Sequence, residues 1–196
     1  MHDEQEERRR ERNKKILSIG IVIIMVASVL GAFFGTDATP KQKYNGITFK
    51  QNAQGVTATI NDQKYAFTFF PQQVEGIPTD AAIVPLLASP VLFVTYNPAA
   101  AANETMARVQ YYISELFPAR FDTFVSLGVS EPTAFVFPII TCANATSSQP
   151  VLFLDESNQT QISVEGSCIR ATAANDEDLL RIADKLVLLR LGVMDR

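Results

Sequence analysis

Cys142 and Cys168 are the side chains of this sequence that read most directly as chemistry. In an oxidising compartment a lone pair of cysteines is most simply one disulfide. The stretch between them reads as a hairpin: residues 150–156 (PVLFLDE) and 160–165 (TQISVE) are strand-like, and Ser157, Asn158 and Gln159 supply turn chemistry. The cysteines flank this hairpin, so its closing ends are expected within bridging distance. A loop of this size closed by a disulfide gains roughly 3 kcal/mol on the chain-entropy account. The alternatives are a redox-active pair, which lacks Cys-x-x-Cys spacing and a nearby histidine, and a zinc site, which needs more ligands. The sole histidine is His2.

Other chemistry is thinly represented. Acid–base catalysis near neutral pH most often uses histidine, and none follows His2. Lys41, Lys43, Lys50, Lys64 and Lys185 lack the Ser-x-x-Lys spacing of a serine–lysine pair. Asp155, Glu156 and Asn158 offer oxygens to calcium but lack the Asp-x-Asp-x-Asp-Gly loop, and read as a solvated hairpin tip. No catalytic, cofactor-binding or metal-binding residue is assigned, and no cofactor is expected. Three Asn-x-Ser/Thr sequons occur, at Asn103, Asn144 and Asn158, a modest excess over chance that fits an exported domain.

The element that positions all of this is an apolar run. Residues 16–34 (ILSIGIVIIMVASVLGAFF) form 19 residues without a charge. As a helix they span roughly 28 Å, close to the hydrocarbon thickness of a bilayer. Residues 1–15 carry six bases (Arg8, Arg9, Arg10, Arg12, Lys14, Lys15) against five acids, and the far side has no base until Lys41. The positive-inside rule then puts the N-terminus in the cytoplasm. A retained anchor fits better than a cleaved signal, because the run exceeds a signal core and Thr36-Asp37-Ala38 is a poor cleavage site. Residues 16–196 hold eleven bases and sixteen acids with no basic run, which argues against nucleic acid as a partner.

The expected organisation is a charged tail (1–15), a transmembrane helix (16–34), a polar stalk (35–43) and an outer domain (44–196). That domain opens with three strand-like runs at 46–51, 55–60 and 63–70. Asn61-Asp62 turns the last two, and Tyr65, Phe67 and Phe69 share a face. Residues 91–96 (VLFVTY) read as a central strand. Asn97-Pro98 then starts a helix over 98–117, stopped by Pro118, whose buried stripe is Met106, Val109, Tyr112, Ile113 and Leu116; Asn103 falls on the exposed side. A helix start of this kind can hold a phosphate, but the glycine-rich turn is absent and plain packing is expected. Residues 133–140 (TAFVFPII) read as an interrupted strand. A final helix over 175–191 is capped by Asn175 and stopped by Gly192, with Arg181 and Lys185 on its solvated edge and Arg190 snorkelling or capping.

Several segments recur in a familiar order. They are Tyr44-Asn45-Gly46-Ile47-Thr48-Phe49 after the anchor, Pro138-Ile139-Ile140-Thr141-Cys142, Gly166-Ser167-Cys168-Ile169, and the helix from Arg181-Ile182-Ala183-Asp184-Lys185 to Leu191-Gly192-Val193-Met194. This order resembles archaeal single-pass membrane-anchored proteins of uncharacterised function. The resemblance implies a surface protein with a Cys142–Cys168 bridge and no particular activity. The fold expected is α+β: a mixed, mainly antiparallel sheet with two principal helices packed on one face. The function expected is a membrane-tethered binding or assembly domain, non-enzymatic in preference to enzymatic, with the bilayer as partner through residues 16–34 and a protein or envelope component as partner outside. An enzyme or accessory subunit of a membrane complex, or a small-ligand receptor, is the alternative.

Overall fold

The computed structural model describes residues 39–134 and 136–194, together with Ile19, Ile21, Ile24 and Met25. The chain divides into two units, Met1–Thr39 and Pro40–Arg196. In the first, Ile19, Ile21, Ile24 and Met25 are helical and 50% to 66% exposed. The rest of the apolar run lies outside the described residues. Among the described residues no helix is long and apolar enough to cross a membrane.

The second unit opens with a four-stranded antiparallel meander in chain order: β1 (Lys41–Tyr44), β2 (Ile47–Asn52), β3 (Gly55–Ile60) and β4 (Gln63–Phe67). Two of its turns follow directly from sequence. Asn45-Gly46 and Asn61-Asp62 each place two residues at positive φ (44° and 82°, 49° and 61°), as a two-residue hairpin loop requires. Strand alternation puts Phe49, Val56, Ala58, Ile60, Tyr65 and Phe67 on the buried face. The end of the expected stalk is itself a strand: Lys41–Tyr44 pairs with residues 47–50, because the Asn-Gly turn folds it back onto β2.

The remaining strands form a second sheet in the order β6-β5-β7-β9-β8, from β5 (Val91–Tyr96), β6 (Phe124–Leu127), β7 (Val151–Glu156), β8 (Gln161–Glu165) and β9 (Cys168–Ala173). The α+β class and an antiparallel sheet are as expected, but the strands divide between two sheets, and this one is mainly parallel. β5 is parallel to β6 and β7, and β7 to β9; β8 alone is antiparallel, to β9. A helix between β5 and β6 makes a crossover, which joins parallel strands. Four helices accompany the sheets: α1 (Pro71–Val74), α2 (Ile83–Leu87), α3 (Asn103–Phe121) and α4 (Asp176–Arg190). The two long ones, α3 and α4, pack on each other. α3 also contacts β5 and β6, and α4 contacts β9, so both cover one face of the mixed sheet.

Three local expectations are corrected. The hairpin over 150–165 does not form: β7 and β8 are separated by β9, which enters between them. The tight hairpin is β8–β9, turned at Gly166 (φ 61°). Helix α3 begins at Asn103, not at residue 98, because Asn97 Oδ1 accepts from Ala99 N–H (3.0 Å) and makes a separate turn first. Pro118 lies inside α3, in its last turns, and the helix ends at the left-handed Asp122 (φ 53°). Residues 133–140 are not a strand. Among the described residues of this stretch Ile139 makes an isolated bridge to Val129, Ile140 packs against the mixed sheet, and Val136, Phe137 and Ile139 are exposed.

Burial separates the two faces of the mixed sheet. Leu92, Val94, Leu152, Leu154, Ile169, Ala171 and Ala173 join the main core with α3, α4 and the inner face of the meander. Phe93, Val151, Phe153 and Cys168 belong to a smaller cluster with Ile140, Cys142 and Ala145. Thr95 Oγ1 donates to Ile140 O (2.8 Å) on that second side.

Candidate functional site

Helix α4 is buried around nearly its whole circumference, and two of its buried residues are charged. Asp184 is 3% and Lys185 4% exposed. They project about 100° apart on the helix, and main-chain atoms of the segment before and after α1 bond to both. Asp184 Oδ2 accepts from Thr68 N–H (2.7 Å) and Phe69 N–H (2.8 Å). Lys185 Nζ donates to Glu75 O (2.9 Å) and Ile77 O (2.6 Å). The expectation that Lys185 is solvated is therefore corrected: its ammonium is a clamp on residues 75–77. Burial pushes its pKa down, and the nearby Glu75 charge works the other way.

Beside Asp184 lies a cavity of about 320 Å³, lined among others by Gln54, Thr68, Arg108, Tyr112, Leu180 and Asp184. Asp184 Oδ1 makes no hydrogen bond among the described residues. Burial raises the carboxyl from 3.8 to about 7, against the two N–H donors, which lower it. Tyr112 is pushed up, first by burial and then by the Asp184 charge, and its hydroxyl donates to Ala66 O (3.3 Å). Arg108 sits at the rim, its charge answered by Glu104 (3.9 Å) in an exposed pair of little energetic weight. The recess has one carboxyl, held near neutrality, and a phenol too basic to ionise. Such a set offers hydrogen-bonding groups to the cavity and no charged pair. Nucleophilic catalysis needs a partnered nucleophile and base, which this cavity does not bring together.

Sequence reasoning missed this site. The signal was present in α4: at 100° per residue Asp184 falls between Leu180 and Leu188, and Lys185 between Leu188 and Ile182. A helix apolar on every side is a buried one.

Cys142 and Cys168 form the expected disulfide, with Cα atoms 5.2 Å apart. The bridge spans the cluster on the second face, joining the 3₁₀ turn Cys142–Asn144 to the start of β9. Arg170 lies over the Phe153 ring (5.1 Å) beside it and pairs with Asp155 (3.7 Å) and Glu165 (3.5 Å). Of the three sequons, Asn144 and Asn158 are exposed. Asn103 is half-buried, which corrects the exposed placement, and its Nδ2 donates to Pro98 O (3.1 Å). Glu156 accepts from Ala101 N–H (2.9 Å), so a carboxylate already stands against the turn that precedes α3. Among the described residues no three of His, Cys, Asp and Glu gather as a metal site. Arg181 pairs with Asp178 (3.3 Å) and lies over Phe69 (5.3 Å), while Arg190 stacks on Phe121 (4.8 Å). Comparison with family models, with curated proteins and with solved structures finds no match to this chain.

Proposed function

We propose that the protein is a single-pass membrane protein whose outer domain binds a protein or envelope component, with residues 16–34 as a retained transmembrane anchor and the N-terminus cytoplasmic. The observation that carries the binding part is the loop at 136–139. Val136 is 104%, Phe137 45% and Ile139 53% exposed. Consecutive apolar side chains left in water mark a contact surface more often than a resting one. The Cys142–Cys168 disulfide supports an oxidising exterior. Ile19, Ile21, Ile24 and Met25 point to different sides of a helix and are all exposed, which supports a segment made for an apolar solvent. The exposed Asn144 and Asn158 are the sequons suited to carry glycans. The kinship with archaeal surface proteins is part of the same proposal.

A photoreactive residue placed at Phe137 in native membranes tests the binding surface. It is expected to yield one discrete crosslinked species, absent when the probe stands at Lys50. Monomer alone at both positions would count against the surface. Protease protection of sealed cells tests the topology: cleavage confined to the outer domain is expected, and protection of that domain would reverse it.

A further inference from the structure

Helices α3 and α4 end beside the turn between β3 and β4, and each brings an arginine there. Arg120 is the second-last residue of α3 and Arg190 the last of α4. They line one cleft of about 240 Å³ together with Asn61, Gln63, Tyr65 and Phe121. Each guanidinium is braced on an aromatic ring: Arg120 lies 5.5 Å from the centre of Tyr65 and Arg190 4.8 Å from that of Phe121. Gln63 Oε1 accepts from Arg120 Nη1 (3.3 Å) and from Tyr65 OH (3.1 Å), which holds the first arginine in register. Phe121 is itself fixed edge-on against Phe117 (5.1 Å).

Among the described residues no carboxylate pairs with either arginine, although Arg108, Arg170 and Arg181 all have acids. Asp62 and Asp122 adjoin the cleft in sequence but do not line it. Arg190 Nε is buried with no hydrogen-bond acceptor, as are Arg170 Nε and Arg181 Nε, so a group entering the cleft meets the terminal guanidinium nitrogens. The two helix ends contribute roughly half a negative charge each, which leaves about one net positive charge between two full guanidinium charges. Arginines stacked by their faces keep their N–H edges free, and those edges match the oxygens of an oxyanion.

We propose that this cleft is a binding site for a single tetrahedral oxyanion, a phosphate or sulfate group, held by Arg120 and Arg190 with the side-chain amides of Asn61 and Gln63 beside them. The volume suits one such group and not an extended polyanion. The site is separate from the Asp184 cavity and does not rest on the membrane reading.

Calorimetric titration of the full chain in an uncharged detergent, at fixed ionic strength, tests it with inorganic phosphate and with sulfate. Saturable binding is expected. Arg120→Gln and Arg190→Gln should each weaken it roughly tenfold, the loss typical of one charge-assisted contact, and the double variant should abolish it. Lys50→Gln, which removes a positive charge elsewhere, should leave it unchanged. A wild-type chain with no saturable heat, a double variant with undiminished affinity, or an equal loss in Lys50→Gln would each overturn the site. Melting curves accompany every variant; if Arg190→Gln unfolds, Arg120→Gln alone carries the decision, because Arg120 is exposed. Glycerol 3-phosphate separates two sources of the group: tighter binding than inorganic phosphate assigns a phosphoester such as a lipid headgroup, and weaker binding assigns the free ion.

Discussion

The two faces of the mixed sheet are built from alternate residues of the same strands, yet they are covered in different ways. Leu92, Leu152 and Ile169 meet two helices and lie in the main core. Phe93, Val151 and Cys168 meet irregular chain, and that chain is held by a disulfide, by Thr95, and by little apolar area. A helix satisfies its own backbone and needs only an apolar stripe to bind a sheet. An irregular segment brings unpaired peptide groups and must be tied down bond by bond.

That contrast gives an order of effects. Leu152→Ala, which opens a cavity on the helix-covered face, should cost about 4 kcal/mol of unfolding free energy in denaturant titrations of the full chain. Replacing Cys142 and Cys168 together with serine should cost about 3 kcal/mol and make residues 140–149 the first site of limited proteolysis. If instead the double variant is cleaved first in α3, the disulfide is not what holds the second face. Thr95→Val removes one buried hydrogen bond and should cost about 1 kcal/mol, with its effect vanishing in the cysteine-free background if the two ties act on the same segment.

The last prediction concerns Asp184, on the helix side, and is read from pH dependence rather than from stability at one pH. Its carboxyl keeps a proton to about pH 7 when folded, against 3.8 as the ordinary value. Between those pH values the folded state binds more protons, so the contribution of this group favours folding at the acid end and is lost as pH rises through about 7. Asp184→Asn should flatten that decline in a pH series of melting temperatures. An unchanged slope would show that the carboxylate is ionised throughout, with the N–H groups of Thr68 and Phe69 outweighing burial.

Much of the domain was legible locally. Asn61-Asp62 turns where expected, Asn175 Oδ1 caps α4 by accepting from Asp178 N–H (2.9 Å), and Gly192 ends it at φ 67°. The stripe Met106, Val109 and Ile113 is fully buried, while Tyr112 and Leu116 are half-buried at its edge. The failures share a cause. The strands of the supposed hairpin are near in sequence, and nothing within them reports that β9 will stand between them. Residues 133–140 are apolar and β-branched, yet among those described Ile139 alone makes a bridge, to Val129, so β propensity went largely unanswered. Of the site residues, the disulfide followed from composition. The Asp184 cavity and the arginine cleft did not, because each gathers side chains from segments far apart in the chain.

What the sequence determined by itself, then, is whatever two to twenty adjacent residues can enforce: turns, caps, helical stripes, strand alternation, the pairing of two cysteines with no competitor, and the charge asymmetry around an apolar run. These are short-range steric and hydrogen-bonding preferences. Tertiary structure alone decided the order β7-β9-β8, the exposure of Val136, and the charges it buries or leaves unpaired. Those outcomes depend on which surfaces meet. Lys185 is the plainest case: it is buried because Glu75 and Ile77, more than a hundred residues earlier, offer it two carbonyls.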